Sequence, residues 1–297
     1  MVQDAGDVVF DPPFEIEAPD RLALPFVINT PHSGRIYPDA FLAMARLDRL
    51  GLRRSEDCYV DLLFGEAPRI GLPLLKAHFP RAYLDVNREP YELDARMFDG
   101  RLPAYANTRS MRVAGGLGSI PRIVGDGQDI YRTRLTVADA MRRIDTVYRP
   151  YHRALRGLLQ ETHRRFGEAI LLDCHSMPSA SLGAEIQTRP DIVLGDRYGT
   201  SCAPVLIDTV QAAFEALGYR VARNRPYAGG FITEHYGQPA SAVHALQIEI
   251  NRALYMDEET LEPRPGFPQL RDDLTRMLLE AHRMLSDAST SWSQAAE

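Results

Sequence analysis

Short apolar runs bounded by turn residues recur along this chain. Three of them deliver polar, metal-competent or proton-handling side chains at or near their ends: Phe26-Val27-Ile28-Asn29-Thr30-Pro31-His32-Ser33-Gly34, Ile170-Leu171-Leu172-Asp173-Cys174-His175-Ser176 and Ala245-Leu246-Gln247-Ile248-Glu249-Ile250-Asn251. Such runs read as buried strands, and strand ends are where α/β folds collect catalytic groups. The repetition points to one site assembled from distant segments. Strands are predicted at 24–29, 73–78, 81–87, 169–174, 191–194, 219–222 and 245–250. Apolar residues at helical spacing predict helices at 38–50, 59–65, 203–217 and 269–285. A longer helix is predicted at 137–166, where Ala140, Ile144, Val147, Tyr151, Leu155 and Leu159 recur at that spacing. Pro150 has no N–H to give and should kink or divide it. Strands alternating with helices predict a three-layer α/β/α sandwich around a central mixed β-sheet. Residues 1–20 read as an arm, 21–286 as a single domain and 287–297 as a loose tail. The stretch 94–129, rich in glycine and proline and without periodicity, reads either as a lid or binding loop or as a disordered insert.

Composition narrows the function class. The chain has 297 residues, 45% of them hydrophobic, enough for a sizeable core. Its net charge is -6 with basic residues scattered among acids, so no stripe suited to a phosphate backbone forms and nucleic acid is not an expected partner. Cys58, Cys174 and Cys202 form no C-x-x-C pair and sit in apolar surroundings, as free thiols in a reducing cytoplasm do. The acidic N-terminus lacks the features of a secretion signal, and no apolar run is long enough to span a membrane. Neither a Walker sequence, a dinucleotide fingerprint nor G-x-S-x-G is present, and Cys174 and His175, as strand neighbours, face opposite sides.

What remains is metal chemistry. A hydrolytic zinc site needs about three His or carboxylate ligands and an open position for water. His32, on a turn past a strand, is a candidate, or an ordinary surface residue. Asp57 begins a predicted helix and is a candidate ligand or a helix cap. His175 follows a strand directly, at the sheet rim. Glu249 is flanked by apolar residues and shares a face with Gln247 and Asn251. A buried carboxylate must be paired or put to use, so Glu249 is either a general base or half of a core ion pair. Asn87-Arg88 offers a guanidinium fork with an amide beside it, suited to a substrate carboxylate or to a salt bridge with Glu89 or Glu92. The loop 224–237 combines Arg225, the pair Gly229-Gly230 and His235.

Six ordered motifs extend from Phe26 to Asp257: Pro31-His32-Ser33-Gly34; Glu56-Asp57 with Val60-Asp61; Leu84-Asp85-Val86-Asn87-Arg88-Glu89-Pro90; Asp173-Cys174-His175-Ser176; Gly229-Gly230-Phe231-Ile232-Thr233 with His235-Tyr236-Gly237; and His244-Ala245-Leu246-Gln247-Ile248-Glu249. In these the chain resembles the N-formylglutamate amidohydrolase family, which is similar in fold to zinc carboxypeptidases and aspartoacylases. The resemblance implies that His32, Asp57 and His175 hold Zn2+, with manganese, iron or cobalt as other metals suited to that set, and that Glu249 is the base. It implies that Asn87 and Arg88 grip the substrate carboxylate, with Arg134, Arg225, Gly230 and His235 as further pocket residues. The chain departs from members associated with histidine breakdown in having Ser55-Glu56-Asp57-Cys58 where they carry Asp-Thr-Asp-Trp, and Phe79-Pro80-Arg81 where they carry a Ser-Arg turn. The expectation is a cytoplasmic zinc-dependent amidohydrolase whose small-molecule substrate is N-formyl-L-glutamate. The alternatives are a hydrolase of another N-acyl amino acid or a peptide on the same frame, and a non-catalytic acidic-amino-acid-binding protein.

Overall fold

The apolar runs at 24–29, 169–174 and 191–194 become strands buried along their length, as strands covered on both faces must be. The computed structural model describes residues 10–125, 127–182 and 189–295. Its strands are β1 (Phe14–Glu17), β2 (Phe26–Thr30), β3 (Leu74–Ala77), β4 (Phe98–Asp99), β5 (Leu135–Thr136), β6 (Ala169–Met177), β7 (Ile192–Gly195), β8 (Val221–Arg223) and β9 (Val243–Asn251). Its α-helices are α1 (Asp39–Met44), α2 (Arg49–Arg53), α3 (Val60–Leu63), α4 (Met111–Ala114), α5 (Val137–Arg143), α6 (Arg149–Phe166), α7 (Pro204–Ala216), α8 (Phe231–Tyr236) and α9 (Phe267–Ala295). Seven strands form one sheet in the order β1-β3-β2-β6-β9-β7-β8, and β4 pairs with β5 separately. The sheet is mixed: β2, β6 and β9 run parallel, β7 is antiparallel to β9, and β8 is parallel to β7. The expected mixed α/β sheet is therefore present.

Packing divides the chain into two compact units. One carries the segments up to Ile16, Pro31–Cys58 and Leu75–Gly157; the other carries Glu17–Thr30, Tyr59–Leu74 and the chain from Leu158 onward. In the second unit α8 packs on β6 and β9, α7 on β8 and α9, and α3 on β6 and α9. Among the described residues no helix is long and apolar enough to cross a membrane. All three cysteines are free and buried.

Local chemistry redraws several predicted elements. The helix expected at 38–50 stops at Ala45, whose extended backbone lets the next amide, Arg46 N–H, donate to Ile130 O at 2.7 Å; α2 restarts under an Asp48 cap that accepts from Gly51 N–H. The segment 81–87 is buried like a strand but is not one. Tyr83 and Leu84 N–H turn back onto Pro80 O, and Asp85 N–H donates to Ser119 O at 2.7 Å. The stretch 94–129 is organised by Asp94 with Arg96 and Arg122, and by Arg122 with Asp129. The long helix divides near Pro150, through a π turn at Ile144–Tyr148. Proline cannot bond to the carbonyl four residues back and crowds it, and here Arg149 N–H bonds five residues back to Ile144 O instead. The 224–237 loop contains a helix, α8, that its short apolar content did not announce.

Candidate active site

The first unit resumes at Pro31, after β2, and the chain turns at His32. Gly34 closes that turn against the backbone of Phe79: a Cβ there would fall 2.0 Å from Phe79 O, so no larger residue fits without a backbone shift. Asp57 N–H donates to His32 O at 3.0 Å, tying two distant segments together. Asp57 is not a helix cap, because α3 is capped by Tyr59 in the left-handed conformation, φ 65°, without a side-chain bond. Its Oδ2 lies instead 3.4 Å from His32 Nδ1. The preceding residue, Glu56, is buried and accepts from Tyr37 Oη at 2.5 Å, Arg53 Nε at 3.1 Å and Cys58 Sγ at 3.2 Å. Burial raises the Glu56 carboxyl above its ordinary range despite these donors.

The other ring nitrogen of His32, Nε2, donates to Asp85 Oδ1 at 2.7 Å. Asp85 also accepts from Asn87 N–H at 2.8 Å and from Arg81 Nε at 3.0 Å, with Arg88 Nε at 3.8 Å. Burial alone would raise its pKa, but the charges of Arg81, His32 and Arg88 outweigh it and hold the carboxyl well below the usual range. Arg88 donates through Nη1 to Asn87 O at 2.7 Å and through Nε to Leu117 O at 3.0 Å. Burial pushes its pKa down to about 10, which still leaves a full cation at neutral pH.

In the second unit the parallel ladder between β6 and β9 sets Asp173 opposite Gln247 and His175 opposite Glu249. Side chains two apart on a strand share a face, so these four stand together. His175 Nε2 pairs with Asp173 Oδ2 at 3.0 Å, and Asp173 Oδ1 accepts from Asn29 Nδ2 at 2.7 Å. Gln247 Nε2 donates to Glu249 Oε1 at 2.8 Å, while Gln247 Oε1 accepts from the Gly230 N–H at 2.8 Å. Glu249 is buried, and its carboxylate is oriented by an amide that is itself oriented by a backbone group.

One ligand atom each on His32, Asp57 and His175 lies within 4.8 Å of the others, and all three residues are buried. The 3.4 Å between His32 Nδ1 and Asp57 Oδ2 matches the roughly 3.3 Å between neighbouring ligands of a tetrahedral ion with bonds near 2.05 Å. Both imidazoles have a carboxylate on Nε2, which fixes the tautomer and leaves Nδ1 as the basic nitrogen, the arrangement in which outer carboxylates support metal-binding histidines. The group can bind a metal ion.

Other residues singled out from sequence lie as follows. Gly230 is buried at the N-cap of α8, and its amide serves Gln247. His235 is exposed, stacked on Phe231 at 4.9 Å. Arg225 is exposed. Arg134 is exposed beside β5, 3.8 Å from Asp99. The sequence alone assigns no role to Asp85, Asp173, Gln247 or the Gly230 amide. The i, i+2 spacing of Asp173 with His175 and of Gln247 with Glu249 was a usable signal; nothing in the sequence placed Asp85 beside His32.

The N-formylglutamate amidohydrolase family model matches residues 24–256. The chain belongs to the N-formylglutamate amidohydrolase family. A Ralstonia eutropha N-formylglutamate amidohydrolase of known crystal structure is 40% identical, with a TM-score of 0.86 over 93% of this chain and 99% of that one. The N-formylglutamate deformylase of Pseudomonas putida is 30% identical over 262 residues, 87% of this chain and 92% of the relative. That of Pseudomonas aeruginosa is 31% identical over 243 residues, 80% and 85% of the two chains. The stretch matched by the family contains His32, Asp57, Asp85, Arg88, His175 and Glu249.

Proposed function

We propose that this amidohydrolase cleaves N-formyl-L-glutamate into formate and L-glutamate, with a divalent ion, zinc first among the candidates, held by His32, Asp57 and His175. The observation that carries the reading is the buried His-Asp-His group with a carboxylate behind each imidazole. The names of the deformylase relatives support the substrate. Bound there, such an ion would supply Lewis acidity toward the amide carbonyl and the attacking water.

The chain's own residues do the rest. Glu249 takes a proton from the attacking water and passes it to the amine nitrogen as the C–N bond breaks, with Gln247 holding the carboxylate in the required orientation. Arg88 presents its guanidinium to a substrate carboxylate, its plane fixed by Leu117 O and Asn87 O, and Asn87 stands beside it. Arg225, Gly230 and His235 contribute from the 224–237 loop, Gly230 by way of Gln247; Arg134, exposed and 3.8 Å from Asp99, is a weaker candidate. Three reduced, buried cysteines suit a cytoplasmic enzyme.

Formate release from N-formyl-L-glutamate, with and without chelator and after zinc add-back, tests the reading. Chelator-sensitive release that zinc restores is the expected result, and release indifferent to chelator overturns the metal assignment. The unusual flank Ser55-Glu56-Asp57-Cys58 favours testing a panel of other N-acyl amino acids beside it. Activity confined to another panel member moves the substrate and keeps the site; tight metal binding without any hydrolysis favours a binding protein.

A further inference from the structure

The segment that carries Asp85, Asn87 and Arg88 has the burial of a strand without a strand's hydrogen-bonding partners. Three of its carbonyls are taken up by side chains from 143–152. Arg143 Nη1 donates to Tyr83 O at 2.9 Å, His152 Nε2 to Val86 O at 2.9 Å and Tyr148 Oη to Arg88 O at 2.7 Å. Arg143 is fully buried. Its guanidinium lies 4.0 Å over the Tyr83 ring, donates to Tyr131 Oη at 2.6 Å and pairs with Asp139 at 2.7 Å. Tyr148 and His152 lean on one another, their ring centroids 4.3 Å apart.

Helix geometry explains how three donors reach one segment. Tyr148 and His152 are four residues apart and share a face of α-helix. Arg143 and Tyr148 are five apart, and at 3.6 residues per turn an unbroken α-helix would set them about 140° from each other. The π turn at Ile144–Tyr148, closed by Arg149 N–H to Ile144 O, reduces that offset, because an i to i+5 turn takes more residues to come round and so advances less per residue. Pro150, which cannot complete an α-turn, is the sequence feature that favours it.

We infer that this π turn is a positioning device: it aligns Arg143, Tyr148 and His152 so that together they grip the backbone at 83–88 and hold the Arg88 fork ready for the substrate carboxylate. The inference rests on the reading of Arg88 as that fork. Neither Tyr148 nor His152 is assigned a contact with the reacting atoms, so their loss should weaken substrate capture and spare the chemical step.

The test compares Tyr148→Phe, His152→Leu, His152→Gln and Arg88→Ala for KM, kcat and metal content with N-formyl-L-glutamate. Arg88→Ala should raise KM at least about thirtyfold, as removal of a charged partner does. Tyr148→Phe keeps the ring and loses the hydrogen bond to Arg88 O, so KM should rise about three- to tenfold with kcat and bound metal unchanged. His152→Leu should do the same, and His152→Gln, whose amide can still donate to Val86 O, should restore most of the loss. If Arg88→Ala raises KM while Tyr148→Phe and His152→Leu do not, the positioning role is overturned and the fork stands. A fall in kcat and metal content together, without a KM effect, also overturns it, since that is what general loosening of the fold produces. If Arg88→Ala leaves KM unchanged, the fork itself is wrong and the inference goes with it.

Discussion

Asp85→Asn is the sharpest perturbation the structure offers, because one carboxylate serves both halves of the proposed chemistry. Its Oδ1 takes His32 Nε2 at 2.7 Å and Asn87 N–H at 2.8 Å, while Oδ2 takes Arg81 Nε at 3.0 Å and lies 3.8 Å from Arg88 Nε. Asparagine has nearly the same shape but only one acceptor oxygen. If that oxygen faces His32, the new NH2 confronts Arg81; if it faces Arg81, the NH2 confronts His32 and the Asn87 amide. In the second orientation a buried donor loses this partner, at a cost of about 1–3 kcal/mol, in the first a part-exposed one does, and in both the charge that balances two guanidinium groups is gone. Losing the outer partner of a metal-binding histidine weakens metal binding about 10- to 100-fold, or roughly 1.4–2.8 kcal/mol. Competition with a chromogenic chelator measures the affinity, and steady-state kinetics at saturating metal measure KM. Weaker metal binding together with a raised KM is expected. Metal affinity within about twofold of the parent in a variant that melts normally would refute the reasoning, since the His32 pair would then carry no weight.

Other perturbations reach different parts of the frame. Glu249→Gln keeps the bond from Gln247 feasible but removes the proton acceptor, so kcat should fall about 10²- to 10⁴-fold with metal content unchanged by elemental analysis. Gly34→Ala forces a Cβ to within 2.0 Å of Phe79 O, so it should cost about 1–3 kcal/mol in denaturant unfolding and weaken metal binding through His32. Arg134→Ala should leave KM within about twofold, because an exposed ion pair contributes little; a large rise would bring Arg134 into the pocket. The amide of Thr260, the side chain of Arg264 and the amide of Glu259 hold the Asp257 carboxyl down at about 2, below its ordinary 3.8. A depressed acid stabilises the fold fully above the ordinary value and ceases to as pH falls through the lowered one. The melting-temperature gap between parent and Asp257→Asn should therefore persist above about pH 4 and close toward pH 2; a gap independent of pH across that window would assign the effect to shape instead of charge.

The sequence was most legible where structure is local. The runs at 169–174 and 245–250 became the paired strands β6 and β9, because continuous apolar character with turn residues at the ends has few other solutions. The long helix and its division near Pro150 were also readable, since a missing N–H acts on the nearest turn. Legibility failed where backbone groups are satisfied by side chains far away in the chain. The segment 81–87 reads as a strand, yet carbonyls at 83–88 are partnered by Arg143, Tyr148 and His152, and no local pattern announces a guanidinium or phenol as the neighbour of a carbonyl. The helix predicted at 38–50 failed similarly, through a bond from Arg46 N–H to Ile130 O. For the candidate site, residue types and strand ends led to His32, Asp57, His175 and Glu249, but Asp57 looked like a helix cap until the left-handed Tyr59 took that place.

The two histidine–carboxylate pairs illustrate the same division and explain why one is more exposed to mutation elsewhere. Asp173 and His175 lie two residues apart on one strand, so the pleat alone brings them to the same face, and Asn29, the register partner of Asp173, completes the row. That pair is as secure as the sheet. Asp85 reaches His32 from an irregular segment, and its position depends on the Ser119 carbonyl that receives its amide and on the neighbouring arginines. The same segment presents Arg88. Both proposed metal support and substrate grip in this unit therefore rest on one stretch of backbone without a ladder of its own. Its long-range hydrogen bonds are what make a precise site possible there, because an irregular loop without them would leave His32 and Arg88 free to move independently.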